Sequence, residues 1–488
     1  MTPLSTKLSS RSSHLSSYPA DWLVAGVFQD SPVDAELDGM LGGALTKLRE
    51  SGDLTGKHLE LVPMLNVAGI GAKRLLLVGL GNRSNTSRST LHDAFAAALR
   101  SITGKRISRV IVAFPERLPL DRLATTLAVG VGTIQGCYGP GIRKSEPSRF
   151  APEEIVFYAA FEDEFLDRIR AEGTALTFAK ELVNAPPCDL YPETFAARIA
   201  ENPNVECEIW DEKRLRDERM GAILGVAEAA SRPARLAILR YRNAGNAPTL
   251  ALVGKGVTFD SGGLSLKTND QMADMKCDMA GAAAVAAAIH AAADLGLKVN
   301  LLGIMPLVEN MPGGRALKLG DVLKARNGKT IEVLNTDAEG RLILADALAY
   351  AAEQKPGHIV DLATLTGSCM MALGTQIAGV MSNNEEWSNR LIATAKRAGE
   401  RLWPLPMDAD FAENLKSNVA DIKNVGANRY GGAILGGKFL EQFVAGIPWA
   451  HLDIAGPAWA DHDSATKDAG GTGAYVRTLI ELAASYSV

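Results

Sequence analysis

From Thr249 onward, short apolar runs suited to strands alternate with longer helical patterns, and this alternation restricts the possible folds more than any other feature. Strand Thr249–Val253 leads through a glycine-rich loop to an alanine-rich helix, Ala280–Leu295, which Gly296 closes as a C-cap. Strand signals follow at Val299–Ile304, Thr330–Leu334 and His358–Leu362, with a helix over Gly340–Glu353 before the last of them. Parallel neighbours need a crossover, and a crossover helix covers the sheet face, so repeated βαβ order implies a largely parallel, twisted sheet flanked by helices. Functional groups in such sheets gather in loops beyond the carboxyl ends of the strands.

The N-terminal third has a weaker version of the same order. Strands are expected at Trp22–Phe28, Arg74–Val78, Arg109–Phe114 and Glu154–Ala160, with a helix over Ser89–Ile102 and a loop over Gly139–Pro152. A helix from Asp163 to Val183 then runs into Asn184-Ala185-Pro186-Pro187, where the prolines stop it. At 488 residues the chain is too long for one ordinary core. The expected organisation is a small N-terminal α/β domain over residues 1–165, a linking helix over 166–184 and a larger α/β domain over 185–488. The Ser-rich, basic stretch Thr2–Ser17 has the composition of some transit peptides but reads as a disordered tail over residues 1–18.

Composition bounds the partners. A hydrophobic fraction of 47% with 22% charged residues is ordinary for a globular chain, and a net charge of −5 gives no long-range pull toward nucleic acid or anionic lipid. The basic groups Lys105–Arg109 and Arg143-Lys144 read as solvated charge, so nucleic acid is not an expected partner. Cys137, Cys188, Cys207, Cys277 and Cys369 lie far apart with no C-x-x-C pair, which fits a reducing compartment, and no apolar run is long enough to span a membrane. The cytoplasm is the expected location.

Two loops concentrate charge among glycines. The first runs Gly254-Lys255-Gly256-Val257-Thr258-Phe259-Asp260-Ser261-Gly262-Gly263 and continues to Lys267 and Asp278; the second is Asn335-Thr336-Asp337-Ala338-Glu339-Gly340-Arg341-Leu342. Singly, each has an ordinary reading: Thr336 and Glu339 form a capping-box pattern, and Asp278 would be a first-turn charge. If both loops reach one sheet edge, however, Asp260, Asp278, Asp337 and Glu339 repel one another strongly, and divalent cations resolve the conflict. No histidine belongs to either loop, and the H-E-x-x-H and G-x-S-x-G patterns are absent. An oxygen-rich site of this kind suits Mg, Mn or Zn, with metal-activated water as the nucleophile.

Asn335–Leu342 (NTDAEGRL) is similar to the signature octapeptide of the cytosolic leucine aminopeptidase family, and GKGVTFDSGG, the MKCDM segment, NMPGGR from Asn310, DLATLTG from Asp361 and HLDIAG from His451 match as well. The resemblance covers roughly Asn184 to the C-terminus, and it implies a metal-dependent aminopeptidase acting on short peptides and amino-acid amides. By the same resemblance Asp260 and Glu339 bridge two divalent metals, Asp337 completes the exchangeable site, and Lys255 with Asp278 completes the tighter one. Mn or Zn is expected first, with Mg or Co also compatible. A lysine ligand must be neutral, so the cations are expected to depress the pKa of Lys255. The resemblance further implies that a water or hydroxide bridging the metals would attack the scissile carbonyl, that Lys267 would help a metal to stabilise the oxyanion, and that Arg341 would hold a bicarbonate able to shuttle the proton. On the same resemblance the substrate amine would sit on a metal, which would restrict cleavage to the first residue.

Met275, Asn335, Thr364 and Gly367 are the implied substrate contacts, with Ala455 and Ala458 weaker candidates. Their small or apolar character suits Leu or Met, though one methylene is worth only about 1–3 kcal/mol. The family also implies a homohexamer of two stacked trimers. Two other readings are weaker. Leu75–Gly81 suggests a dinucleotide loop, but Ser84 stands where the third glycine belongs. Two-metal phosphoester hydrolysis would use the same carboxylates but would not explain a lysine ligand.

Overall fold

The computed structural model describes residues 4–12, 15–115, 118–139, 143–159 and 163–486. Residues 1–3 and 13–14 of the expected tail, 140–142 of the expected loop and Ala160 of the expected strand lie outside that set. The chain divides into two compact units, residues 2–177 with His462–Ala469, and Phe178–Asp461 with Gly470–Val488. The division falls within the helix Asp163–Asn184. Residues 462–469, read from sequence as part of the C-terminal domain, group with the first unit, where Asp468 accepts hydrogen bonds from Arg100 at 2.5 Å and Arg149 at 2.6 Å.

In the first unit, β1 (Lys7–Arg11), β2 (Trp22–Phe28), β3 (Leu61–Leu65), β4 (Arg74–Gly81), β5 (Arg109–Ala113) and β6 (Glu154–Tyr158) form a sheet in the order β1-β6-β5-β2-β4-β3. Every neighbouring pair is parallel except β3–β4. The reading of residues 1–18 as a disordered tail is therefore corrected at β1. Its Ser-rich sequence hides a strand that pairs along β6 through the backbone, with Leu8 buried and Thr6 Oγ1 donating to the Pro152 carbonyl at 2.8 Å. Helices Arg88–Ile102 and Arg122–Cys137 lie in close contact. A Cβ at Gly132 would fall 2.4 Å from the His92 carbonyl oxygen, so only glycine permits that approach.

The second unit is built on β7 (Glu206–Trp210), β8 (Arg235–Arg242), β9 (Thr249–Gly254), β10 (Gly256–Asp260) and β11 (Asn300–Asn310). It continues through β12 (Val322–Lys324), β13 (Thr330–Glu332), β14 (His358–Ala363), β15 (Ala378–Ser382), β16 (Leu402–Pro404), β17 (Ile422–Lys423) and β18 (Trp449–Asp453). The main sheet runs β16-β15-β18-β14-β9-β11-β8-β7, and its centre, β18-β14-β9-β11, is parallel. Helices Ala280–Asp294 and Gly340–Glu353 are buried along nearly their whole length, so almost all their residues are apolar or small. Gly296 adopts φ 60° beyond the first, as its C-capping role requires.

Two expectations change here. The glycine-rich segment after β9 is not all loop, because β10 continues alongside β11 in the register that β9 began, with Val253 opposite Ile304 and Gly256 opposite Leu307. Only Lys255 interrupts the run. A bulge between Val257 and Phe259 then shifts the register before Asp260. Second, the strand before the 335–342 loop belongs to a separate small sheet, β12-β13-β17. At three residues β13 is too short to cross the main sheet, so the second charged loop reaches the site from beside the sheet edge.

Candidate metal centre

Backbone geometry at the end of β9 aims Lys255 inward. Its N–H donates to the Leu362 carbonyl at 3.0 Å, and its own carbonyl accepts from Ala282 N at 2.9 Å, which ties β9, β14 and the Ala280 helix together at one point. The ammonium lies 2.7 Å from Asp278 Oδ1 and 2.9 Å from Glu339 Oε1, and donates to the Thr364 carbonyl at 2.9 Å. Gly340 makes room for this side chain, since a Cβ there would lie 2.5 Å from Lys255 Cε.

The second lysine is held similarly. Lys267 Nζ is 2.8 Å from Asp260 Oδ2 and 2.5 Å from Asp337 Oδ1. Asp260 Oδ1 accepts from Gly262 N at 2.9 Å and from Asn310 Nδ2 at 2.8 Å, which fixes the carboxylate. Gly262 needs its φ of 86° to turn beside Asp337, whose Oδ1 would lie 2.9 Å from an added Cβ.

Twelve of the residues singled out from sequence, Lys255, Asp260, Lys267, Met275, Asp278, Asn335, Asp337, Glu339, Arg341, Thr364, Gly367 and Ala455, line one cavity of about 770 Å³. Ala458 does not: it is 2% exposed and lies in the core. The capping-box reading of Thr336 and Glu339 also fails. Thr336 Oγ1 instead donates to the Gly262 carbonyl at 2.7 Å and accepts from Ser265 N at 2.8 Å, joining the two charged loops, and Glu339 itself is the N-cap without a side-chain cap bond.

Electrostatics at the site are unresolved by protein groups alone. Burial and the repulsion of neighbouring acids hold Asp278 well above the usual carboxylate range against the pull of Lys255. Burial, then Asp260, likewise raises Asp337 and Glu339. Burial alone would depress Lys255, but Asp278, Glu339 and Asp260 outweigh it and keep the ammonium firmly protonated; Asp260 and Asp337 do the same for Lys267. Four carboxylates therefore face two ammonium groups. Asp278 Oδ2 and Glu339 Oε2 are buried without a hydrogen-bond partner among the described residues, and Asp260, Asp337 and Glu339 each offer an oxygen within 4.8 Å of the others. This donor set fits divalent cations, which take oxygen ligands and neutralise such clusters.

Sequence reasoning missed the supports. Asn424, just after β17, is fully buried; its Nδ2 donates to the Asn335 carbonyl at 2.7 Å, its Oδ1 accepts from Leu334 N at 2.9 Å, and its carbonyl accepts from Arg341 Nη1 at 2.7 Å. Burial lowers the Arg341 pKa to about 10, against the opposing pull of Glu339 and Asp453, and its Nε has no partner among the described residues. The DLATLTG and HLDIAG motifs occupy paired β14 and β18, where Asp361 lies opposite His451 and binds its Nδ1 at 2.6 Å. Asp453, two residues on, accepts from Thr366 Oγ1 at 2.6 Å and from Ala455 N at 3.2 Å, holding the strand-end turns that carry Thr364 and Ala455.

Comparison with known proteins covers most of the chain. A family model described as "Cytosol aminopeptidase family, catalytic domain" matches residues 177–480, and the corresponding N-terminal domain model matches residues 24–147. A probable cytosol aminopeptidase of Rhodopirellula baltica is 43% identical over 91% of this chain and 88% of its own length. One from a Geobacter species is 41% identical over 94% and 96%. Among solved structures, the bottromycin maturation enzyme BotP in complex with Mn superposes with a TM-score of 0.86 at 35% identity, covering 96% of this chain and 100% of that one. A mutant of tomato leucine aminopeptidase gives a TM-score of 0.87 at 32% identity, covering 98% and 96%.

Proposed function

The chain belongs to the cytosol aminopeptidase family of metallo-aminopeptidases, and from that premise we propose that it removes N-terminal residues, Leu and Met foremost, from short peptides and amino-acid amides. The observation that carries this reading is the pairing of Lys255 and Lys267 with Asp278, Glu339, Asp260 and Asp337 in one buried cluster that retains unpartnered carboxylate oxygens. Lys255, Asp260, Asp278, Asp337 and Glu339 are assigned to hold two divalent cations, Mn or Zn first. When bound, these supply Lewis acidity toward the scissile carbonyl and an activated water.

The chain's own groups have separate tasks. Lys267, 14% exposed and paired with Asp260 and Asp337, would neutralise the developing oxyanion. Arg341 would hold a bicarbonate through its Nε, which has no partner among the described residues, while Asn424 fixes the other end of the guanidinium; such an anion would supply a proton relay toward the leaving amine. Met275, Thr364, Gly367 and Ala455 form the first side-chain pocket, and an added Cβ at Gly367 would meet nothing within 4 Å. That open, apolar lining supports broad acceptance of unbranched and branched aliphatic residues. A homohexamer in the cytoplasm completes the reading. No helix among the described residues is long and apolar enough to cross a membrane, and all five cysteines are free.

Hydrolysis of leucine p-nitroanilide before and after chelation, with Mn or Zn restored, tests the proposal. Activity should vanish on chelation, return with metal and stay absent in Glu339→Ala. Activity indifferent to chelation would refute it.

A further inference from the structure

The first unit holds a cavity of about 670 Å³, close in size to that of the metal centre and within the roughly 300–1,000 Å³ of small-molecule sites. Its place follows from the sheet. The chain passes from β2 to β4 on one side, then through the helix Arg88–Ile102 to β5 on the other, so the strand order reverses between β2 and β5. Open parallel sheets take ligands in the crevice beyond the carboxyl ends of the strands at such a reversal. The cavity lies there: Val27 and Phe28 end β2, Ala113 ends β5, Tyr158 ends β6, and all four line it.

The lining divides by chemistry. Ala25, Val27, Leu37, Leu45 and Leu77 are its apolar part, and each is buried. Asp34, Glu36 and Arg83 are its charged groups. Arg83 stacks 4.5 Å over the Phe28 ring, with its Nε donating to Ser31 Oγ at 3.2 Å. Asp34 caps the helix Ala35–Met40 by accepting from Leu37 N at 2.7 Å, and Glu36 stands in its first turn. A dinucleotide crevice offers glycine N–H groups to a phosphate at this position, whereas here a phosphate would meet two carboxylates. The Tyr158 hydroxyl makes no hydrogen bond among the described residues. Burial, then Glu36 and Asp34, raises its pKa, which places both acids near the phenol. Two carboxylates against one guanidinium leave excess negative charge beside the apolar lining.

We propose that this cavity is a second ligand site, which takes a small amphipathic amine with its aliphatic body against Val27, Leu37 and Leu77 and its ammonium head at Glu36, Asp34 and the Tyr158 hydroxyl. The proposal stands apart from the aminopeptidase reading. Charge-assisted hydrogen bonds to the acids hold the head, and the same acids repel a carboxylate or phosphate of equal size.

The test titrates 3-methylbutylamine, 3-methylbutanoate and adenosine monophosphate into the full-length protein by calorimetry. Glu339→Ala, which disables the metal centre, is used beside the metal-loaded wild type, and Glu36→Gln and Tyr158→Phe are each added to it. Glu339→Ala should bind the amine at least tenfold more tightly than either anion. Adding Glu36→Gln should weaken the amine about tenfold, and Tyr158→Phe a few-fold. Amine binding confined to the wild type, amine binding unchanged by Glu36→Gln, or an anion held as tightly as the amine in Glu339→Ala would each overturn the proposal.

Discussion

Arg341 donates from Nη1 to the backbone carbonyl of Asn424 at 2.7 Å, and the Asn424 side chain holds the carbonyl of Asn335 in return. One asparagine thus fixes both the loop that presents Asp337 and Glu339 and the arginine that follows them. Asn424→Ala removes three side-chain bonds, to Leu334 N and to the Asn335 and Ala338 carbonyls, and leaves buried backbone groups unpaired, at about 1–3 kcal/mol each. The expected result is at least a tenfold fall in kcat with weaker metal retention during dialysis, measured by metal analysis beside activity.

Lys267 should act on rate more than on substrate binding. Removing one donor to a developing oxyanion costs roughly 100- to 1000-fold in kcat. Lys267→Ala is expected to lose that much with KM within a few-fold of wild type; an equal fall in kcat/KM arising wholly from KM would assign the lysine to ground-state binding.

Gly340→Ala separates local propensity from site geometry. Alanine is the better helix former by about 1 kcal/mol, yet its methyl would sit 2.5 Å from Lys255 Cε. The variant should fold with unchanged circular dichroism while activity drops at least tenfold. Unchanged activity would mean that Lys255 can move without consequence.

His290 gives the second unit an acid-sensitive stability. Its Nε2–H donates to the Ile199 carbonyl at 2.9 Å, its Nδ1 is buried without a partner among the described residues, and burial lowers its pKa from 6.5 to about 4. The unfolded chain therefore binds the extra proton first as pH falls from 6.5 to 4, and stability is lost across that window, by on the order of 3 kcal/mol in total. Urea unfolding of chelated protein at pH 7 and pH 5 should show a larger drop for wild type than for His290→Gln. Equal drops would remove His290 from the account.

The parts of this architecture with strong local signals were readable before any coordinates. The Ala280 helix announces itself through an unbroken small-residue run ended by Gly296, and β14 through its apolar sequence after a proline-glycine turn. Both charged loops could be placed near each other because acids so dense require a common solution. What stayed hidden depends on distant partners. β1 is Ser-rich and becomes a strand only by pairing with residues about 145 positions away, β10 is masked by the glycines that flank Lys255, and nothing near Asn424 in sequence marks it as the clamp of a loop some 85 residues earlier. Thr336 and Glu339 match a capping box in spacing, but the Thr336 hydroxyl is taken by Gly262 and Ser265, a tertiary contact that overrides the local pattern.

The central claim is that these residues hold two catalytic cations. It is tested most directly by stepwise addition of Mn to chelated protein, with bound metal and leucine p-nitroanilide hydrolysis measured at each step, for wild type and for Asp278→Asn. Wild type should take up two ions per chain with activity rising as the sites fill, and the variant should show weakened or lost binding of one ion with little activity. A folded wild-type chain that binds two ions yet cleaves no N-terminal residue, or one that is fully active with none, would contradict it.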